Sequence, residues 1–303
     1  MAIKTVAVIG ASGSVGTPVV QSLLAAGFAV TAVTRANSSS TFPSAVKVQK
    51  ADLNSLDSLT EAFKGQDAVV STVAYAGTGN QNTFADAAIA AGVKRFIPAE
   101  FGTNTRPGKG TTGVFGAQLM AEKTKAVDYL IQEAAKHPEF SWTGIATGLF
   151  FDWGLDKTAF GVNFSKRETT LIDSGDEKVS VSNLGFVGDA VAAVLKHEEE
   201  TKNKYLEVAE HTITRNQVLK IFEDVTGEKF AVKRITKEEL DKIVEEKLSK
   251  QDRSAFFESL VVYCFADGAD KAFKEEDLAN GILGLKSGDL KENIRDYVKA
   301  KSA

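Results

Sequence analysis

Several residue types are scarce in this chain of 303 residues, and each scarcity argues against a class of protein. The single cysteine, Cys264, cannot form an intrachain disulfide. The three histidines, His137, His197 and His211, lack the spacing of metal ligands, so we expect no metal. No uncharged run reaches the roughly 18 residues of a membrane span, and the apolar residues near the start indicate a strand rather than a secretion signal. We therefore expect a cytoplasmic protein with no membrane partner.

Neither sign of charge is in large excess. Lysine and arginine total 36 against 40 aspartates and glutamates, a net charge of −4, and the two signs are interspersed through the last third of the chain. Nucleic-acid-binding domains usually carry a basic face or stripe. We therefore expect no nucleic-acid partner, and the sequence leaves the oligomeric state open.

The most informative feature that is present is an apolar run followed by spaced glycines. Residues 5–9 read Thr-Val-Ala-Val-Ile, which is typical of a buried parallel strand, and Gly10, Gly13 and Gly16 follow before a helical pattern. Glycine accepts positive φ and lacks the Cβ that would block a pyrophosphate, while a helix start offers free N–H groups. This order predicts a dinucleotide site. Its predicted contacts are Gly10, Ser12, Gly13, Ser14, Val15 and Gly16.

The residue after the second predicted strand indicates which dinucleotide binds. An NAD site usually has an acidic residue there for the ribose 2′-hydroxyl, whereas this chain has Arg35, which suits a 2′-phosphate. We therefore predict NADPH or NADP as the cofactor, with small donors nearby in the run 37–40. Asp52, just past the third strand, is predicted to accept a hydrogen bond from the adenine amino group. The alternative is that Asp52 caps the next helix.

Strand and helix patterns alternate through the first half of the chain. Strands are predicted near 3–9, 28–34, 46–49, 67–73, 94–98 and 141–147, with helices between them. This alternation predicts an α/β fold with a doubly wound parallel Rossmann sheet. Cofactors bind at the carboxyl edge of such a sheet, so Thr72, Val73 and Tyr75 are predicted to line the crevice.

The pattern changes near residue 150. We predict an NADP-binding Rossmann domain over 1–150 and, over 151–303, mainly a smaller C-terminal substrate-binding lobe. Helices of this lobe are predicted near 214–226, 236–249, 251–265 and 289–301. Segments near 179–208 are expected to return to the main sheet, because residues 183–195 resemble a helix and residues 204–208 a strand of that layer.

Several segments together resemble the isoflavone reductase-like, or NmrA-like, branch of the atypical short-chain dehydrogenases. They are the glycine loop 10–16, Arg35, the segment 95–102 (RFIPAEFG) and the segment 147–154 (TGLFFDWG), the last being closer to fungal than to plant members. The resemblance spans most of the chain. It implies NADPH-dependent reduction of a conjugated double bond, a carbonyl or a quinone methide in a phenolic substrate.

The reductases of this family carry a lysine on the helix after the Pro-Ala-Glu-Phe-Gly turn, and Lys123 is the best match, with Lys125 as the competing register. The expected buried stripe of this helix comprises Leu119, Val127, Leu130 and Ile131. Lys123 falls on the stripe and Lys125 does not. A buried lysine stays charged only beside water, a carboxylate or a cofactor, so Lys123 is the predicted catalytic residue. The alternative is a lysine whose ammonium reaches solvent past a buried stem.

Ordinary short-chain dehydrogenases place a tyrosine four residues before the catalytic lysine, but Leu119 occupies that position here. Tyrosine-assisted carbonyl reduction is therefore disfavoured. Glu100 and Phe101 are predicted to lie near the nicotinamide, with Phe101 covering a ring face and Glu100 anchoring its loop by accepting backbone N–H groups. The loop 103–116 is expected to be a mobile flap. Phe150 and Trp153 are the predicted substrate contacts.

These inferences favour an NADPH-dependent oxidoreductase that transfers hydride to a small aromatic, phenolic or quinone-like substrate. Lys123 would serve as the acid or base, or as an electrostatic stabiliser. The alternative is an NmrA-like regulator that senses NADP without catalysis. A sugar-nucleotide epimerase is a weaker third possibility, because the tyrosine is missing. The substrate, the bond reduced and the stereochemistry stay open.

Overall fold

A parallel sheet of seven strands lies at the centre of the computed structural model, which describes residues 2–106, 114–252 and 254–302. In chain order, the strands are β1 (Thr5–Ile9), β2 (Ala29–Arg35), β3 (Lys47–Ala51), β4 (Ala68–Ser71), β5 (Arg95–Ile97), β6 (Ser141–Ala146), β7 (Leu149–Phe150), β8 (Val162–Asn163), β9 (Glu168–Ile172), β10 (Val179–Ser182), β11 (Lys204–Glu207), β12 (His211–Ile213) and β13 (Ala231–Ile235). The central sheet has the order β3-β2-β1-β4-β5-β6-β11. Strands β1 to β6 confirm the six predicted for the first half, within a few residues.

Helices cover both faces of this sheet. In chain order, the α-helices of the described ranges are α1 (Gly16–Ala25), α2 (Leu56–Phe63), α3 (Gln81–Ala90), α4 (Val114–Lys136), α5 (Phe151–Asp156), α6 (Leu184–Lys196), α7 (Glu198–Thr201), α8 (Arg215–Thr226), α9 (Lys237–Ser249), α10 (Ala255–Phe265), α11 (Asn280–Leu283) and α12 (Leu290–Ser302). Val6 and Val8 of β1 join the core under α1 and α6, whereas Ala7 and Ile9 join the core under α2, α3 and α4. This alternation follows from the two-residue period of a strand, and it confirms the doubly wound α/β fold.

The layer around the central sheet includes segments from well beyond residue 150. Strand β11 pairs in parallel with β6, and α6 packs along α1, where Gly188 lies against the backbone of Pro18. The expected helix and strand near 183–208 are thus α6 and β11. Strand β10, by contrast, belongs to a separate three-stranded sheet with β7 and β12.

A second core lies under the C-terminal helices. It combines Phe151 and Leu155 of α5 with Phe222 of α8, Cys264 of α10 and Ile294 of α12, all of which are buried. A further small sheet, β13-β9-β8, borders this core. Cys264 is a free, buried thiol, and burial raises its pKa to about 12.

One expected core position on α4 is wrong. Val127 and Leu130 are buried, but Ile131 is 44% exposed, because the buried stripe continues through Glu133 and leaves Ile131 on its flank. The side chain of Leu119 lies outside the described residues. Within the described ranges, no helix is both long and apolar enough to cross a bilayer.

Candidate active site

The glycine turn between β1 and α1 leaves no room for side chains. Gly10 has φ 79°, and a Cβ added there would lie 2.9 Å from the Thr72 carbonyl oxygen. A Cβ on Gly16 would lie only 2.2 Å from the Gly10 oxygen. The Gly13 N–H closes the turn by donating to that same oxygen at 2.9 Å. The turn therefore brings the start of α1 against the end of β4, with bare backbone facing the sheet edge.

Hydroxyl groups join this turn to the loop after β2. Ser40 Oγ donates to Ser12 Oγ at 3.0 Å, and Ser38 Oγ donates to Ser40 Oγ at 3.2 Å. The Ser38 N–H in turn donates to the Arg35 carbonyl at 3.0 Å. Arg35 itself is exposed and forms no ion pair with any residue that the structure describes. The backbone of Arg35 and the hydroxyls of Ser12, Ser38 and Ser40 are thus linked in one chain of hydrogen bonds.

Asp52 follows β3 directly and lies beside Arg35, since Arg35 is in register with Ala51. Its Oδ1 accepts the Asn54 N–H at 3.0 Å. The helix cap is Ser55, whose hydroxyl accepts the Ser58 N–H at 3.3 Å. The alternative reading of Asp52 as the helix cap is therefore wrong, and its exposed carboxylate stays at the sheet edge.

The predicted residues after β4 lie at the same edge. The Thr72 hydroxyl donates to the Ile9 carbonyl at 2.8 Å, which ties the end of β4 to the glycine turn. The Val73 side chain packs partly against the core, and a Cβ added to Gly77 would lie 3.0 Å from it. Tyr75 begins the 3₁₀ helix Tyr75–Asn80, and its side chain lies outside the described part of the structure. Val15 packs partly into the core beneath α1.

Lys123 lies against the turn that follows β5. Its ammonium donates a short hydrogen bond to the Glu100 carbonyl oxygen. The adjacent Gly102 carbonyl accepts the N–H groups of Thr147 and Gly148 at 2.9 and 3.0 Å, which fixes the turn to the end of β6. Burial lowers the pKa of Lys123 below its usual value, and the negative charge of Glu100 offsets part of that shift.

Lys125, the competing register, lies in a different environment. It is exposed, and its ammonium pairs with Glu122 on the same helix at 2.8 Å. Of the two lysines, the structure sets only Lys123 against the sheet edge.

The Glu100 carboxylate does not contact solvent. The residue is 0% exposed, and its Oε2 accepts hydrogen bonds from the Thr105 hydroxyl at 2.6 Å and the Tyr205 hydroxyl at 2.7 Å. Its donors are thus two hydroxyls, not the backbone N–H groups that the sequence analysis expected. Burial and the Glu100 charge together raise the pKa of Tyr205 well above its usual value. The Glu100 carbonyl oxygen is the atom that accepts the Lys123 ammonium.

Sequence reasoning missed Tyr205 and Thr105. Tyr205 lies on β11, and the Thr105 N–H also donates to its hydroxyl, at 3.2 Å. The sequence around Tyr205 predicts a strand over 204–208. A strand pattern does not indicate that the Tyr205 hydroxyl bonds to residues about a hundred positions away. The expected flap begins with residues 103–106, and these are largely buried. Near its other end, Val114 already belongs to α4. Residues 107–113 of the expected flap lie outside the described residues.

The aromatic residues predicted to contact the cofactor or the substrate lie in different parts of the structure. Phe101 is only 7% exposed and belongs to the core under α1, and Phe150 packs partly against the same core. Trp153 stacks near Phe257, with ring centroids 6.4 Å apart, and lines a cavity of about 550 Å³. The cavity is lined by Ser14, Phe151, Asp152, Trp153, Leu155, Asp156, Asn183, Leu184, Asn293, Asp296, Tyr297, Ala300 and Lys301.

This cavity brings a predicted cofactor residue, Ser14, together with a predicted substrate residue, Trp153. Asp152 shapes its floor by accepting the N–H groups of Trp153 at 2.8 Å and of Leu184 at 3.1 Å. Neither Lys123 nor Phe150 is among the lining residues. Across the described ranges, no three potential metal ligands converge on one point.

Comparison with known proteins places this geometry in a family. The sequence model of the NmrA-like family matches residues 2–263. The chain belongs to the NmrA-like family. A relative from Aspergillus flavus, named oxidoreductase aprR, is 34% identical, and the match covers 99% of this chain and 100% of that protein. The family predicted from the sequence is confirmed, and this relative is fungal, as expected.

Solved structures share the fold of this NmrA-like chain. An isoflavone reductase superposes with a TM-score of 0.79 at 16% identity and covers 98% of this chain and 99% of its own. A leucoanthocyanidin reductase from Vitis vinifera, in a binary complex with NADPH, gives a TM-score of 0.75 at 17% identity, with 97% and 99% covered. At such low identity these likenesses establish the Rossmann-like architecture.

A phosphorylated dinucleotide fits the groups at this sheet edge. The glycine turn presents backbone that an added Cβ would fill, and Arg35 has no anionic partner in the described structure. Two buried hydroxyls near the carboxyl ends of their strands, on Thr34 and Ser71, have no hydrogen-bond partner among the residues that the structure describes. Buried polar groups of this kind are normally satisfied, so a ligand or solvent at the edge would complete them.

Proposed function

We propose that this NmrA-like protein is an NADPH-dependent reductase of a small aromatic, phenolic or quinone-like molecule, with Lys123 as the proton donor or charge stabiliser. The observation that carries the proposal is the half-buried Lys123, whose ammonium donates to the Glu100 carbonyl two strands away from the glycine turn. Two strand spacings are roughly 10 Å, which is within the reach of one dinucleotide along the sheet edge. The oxidoreductase name of the Aspergillus flavus relative supports the enzyme class.

The cofactor contacts are the glycine turn, with Ser12, Ser14 and Val15, and the group around Arg35. When bound, NADPH supplies the hydride. The start of α1 favours a pyrophosphate through its free N–H groups, and Arg35 favours the 2′-phosphate. Asp52 would receive the adenine amino group, while Thr72, Val73 and Tyr75 would border the crevice. The NADPH complex of the structurally similar reductase supports this choice of cofactor.

Lys123 is suited to the acid role because burial disfavours its ammonium. The lowered pKa brings proton donation nearer to the working pH of an enzyme. Hydride addition to a conjugated double bond, a carbonyl or a quinone methide leaves negative charge on the substrate, which the ammonium can stabilise or neutralise by giving up a proton. Glu100, Thr105 and Tyr205 act as positioning residues, since they hold the turn that orients Lys123.

The 550 Å³ cavity is the proposed substrate chamber. Trp153 and Tyr297 give it aromatic walls, and Ser14 of the glycine turn forms part of its lining. Its volume suits a compact ring system. Two of the structurally similar proteins are named isoflavone reductase and leucoanthocyanidin reductase. Both names refer to phenolic compounds, which supports this substrate class.

One observation favours a second candidate, an NADP-sensing regulator without catalysis. Lys123 does not line the cavity, so the acid and the chamber are separate in the structure as it stands. The two functions are separated by calorimetric titration of the purified protein with NADPH and NADH. Absorbance at the reduced-nicotinamide band is then followed with aromatic enones, aldehydes and quinones. NADPH binding with oxidation is the expected result. Tight NADPH binding without oxidation across a broad panel would support the regulator, and no binding of either nucleotide would overturn both functions.

A further inference from the structure

A second cavity is separate from the one that Trp153 lines. Its volume is about 260 Å³, and it shares no lining residue with the larger cavity. It is lined by Asn104, Glu207, Asp270, Lys271, Ala272, Phe273 and Lys274. Glu207 is the last residue of β11, the edge strand of the main sheet, so the cavity lies by that edge.

Lys271 is the unusual member of this lining. It is only 3% exposed, and its ammonium has no hydrogen-bond partner among the described residues. The nitrogen lies 4.2 Å above the ring of Tyr263, an arrangement that favours a positive charge without accepting any of its three N–H groups. Burial lowers the pKa of Lys271. A buried ammonium without an acceptor is costly, and buried polar groups normally have one.

The backbone holds this lysine in place. The Lys271 carbonyl accepts the Ser180 N–H at 3.3 Å, and the Ser180 hydroxyl accepts the Phe273 N–H at 2.8 Å, so residues 271–273 run along β10. The opposite wall is also fixed, since the Asn104 side chain donates to Glu207 at 2.5 Å. The backbone beside Lys271 and the Asn104–Glu207 pair are thus anchored, while the Lys271 ammonium lies over the Tyr263 ring.

We propose that this cavity binds a small organic monocarboxylate, and that the Lys271 side chain turns from the Tyr263 ring so that its free N–H groups donate to the carboxylate oxygens. The two lysines of the lining are balanced by Glu207 and Asp270, so the lining has no net charge to neutralise a polyanion, and one ammonium matches a single negative charge. Phe273 is 9% exposed and offers an apolar wall, which suits a short hydrocarbon or aromatic body attached to the carboxylate. The volume is enough for a ligand of roughly ten non-hydrogen atoms, since one water occupies about 30 Å³ of liquid.

The test measures binding of butyrate and benzoate to the full chain by calorimetry in saturating NADP⁺. Butyramide and benzamide serve as neutral ligands of the same shape, and inorganic phosphate as the polyanion. Both carboxylates are expected to bind at least tenfold more tightly than their amides and than phosphate. Lys271→Met, which keeps the length of the side chain but removes its donors, is expected to weaken carboxylate binding at least tenfold.

Two controls assign the binding to this cavity. Lys123→Met removes the lysine of the proposed active site, and Lys286→Met removes an exposed lysine outside the lining; carboxylate affinity is expected to change less than twofold in both. Ala272→Phe fills the cavity while leaving Lys271 in place, and it should abolish binding even if Lys271→Met does not fold. The proposal is overturned if amides or phosphate bind as well as the carboxylates, or if carboxylate binding survives Ala272→Phe. Loss of binding in Lys123→Met would overturn it too.

Discussion

At the scale of single residues, the two neighbouring lysines of α4 differ in environment and are expected to differ in effect. Lys123→Met removes the ammonium held on the Glu100 carbonyl, so turnover should fall at least a hundredfold, as for the loss of a general acid. NADPH affinity should stay within about threefold. Lys125→Met removes only an exposed pair with Glu122 and should leave turnover unchanged. Steady-state kinetics with any identified substrate check both, and equal loss in the two variants would contradict the assignment.

The pH dependence of the activity is also expected to depend on Lys123. An acid must be protonated, so activity should be constant at low pH and fall as pH rises through the pKa of Lys123. That pKa lies below the usual lysine value because burial disfavours the ammonium. The falling limb should disappear from the residual activity of Lys123→Met. A limb that persists there would assign the titration to another group.

Cofactor choice also rests on one side chain. Arg35→Asp replaces the unpaired guanidinium with the acidic residue typical of NAD sites, so NADPH affinity should fall by at least tenfold while NADH affinity is kept or improves. Lys50→Asp is the matched control, because Lys50 lies on the adjacent strand and its ammonium donates to the Ala36 carbonyl at 3.0 Å. Equal loss of both nucleotides in Arg35→Asp would contradict the 2′-phosphate assignment.

At the scale of elements, two glycines of α6 test how closely it packs on α1. A Cβ on Gly188 would lie 2.6 Å from the Pro18 oxygen, whereas one on Gly185 meets nothing within 4 Å. Gly188→Ala should lower the free energy of unfolding by about 1–3 kcal/mol through overpacking. Gly185→Ala should raise it by up to about 1 kcal/mol, because alanine is the better helix former. Urea unfolding measures both, and similar values would refute the close approach.

The turn after β5 depends on an element far away in the sequence. Tyr205→Phe removes the hydroxyl that donates to the buried Glu100 carboxylate and accepts the Thr105 N–H. Unfolding free energy should fall by about 1–3 kcal/mol, the cost of leaving buried polar groups without a partner. Because Tyr205 positions the turn under Lys123, kcat should fall more than KM rises. Tyr297→Phe is the control, because the Tyr297 hydroxyl makes one long hydrogen bond of 3.3 Å to the Leu155 carbonyl. It should lower the unfolding free energy less than Tyr205→Phe does.

The elements also show what a sequence can and cannot predict. Runs such as Val69 and Val70 of β4 are buried on both faces, and their β-branched residues predicted the strand directly. Strands β7 and β8 have two residues each and carry no periodicity to detect. The glycine turn and Arg35 are local motifs and could be predicted, whereas the bond of Tyr205 to Glu100 spans 105 residues and depends on tertiary packing.

At the scale of the whole molecule, the proposed cofactor contacts come from β1, β2, β3, β4 and the turn after β5, so binding should stabilise the entire sheet. A ligand bound only by the native state adds about 2.7 kcal/mol at a hundred times its Kd. NADP⁺ should therefore raise the melting temperature in proportion to the logarithm of its concentration, and NAD⁺ should need far higher concentrations. Arg35→Asp should abolish this difference without lowering the melting temperature of the free protein, because Arg35 is exposed and unpaired in the described structure. Equal stabilisation by the two nucleotides in the unmodified protein would mean that the 2′-phosphate is not recognised, and Arg35 would then have no part in the choice of cofactor.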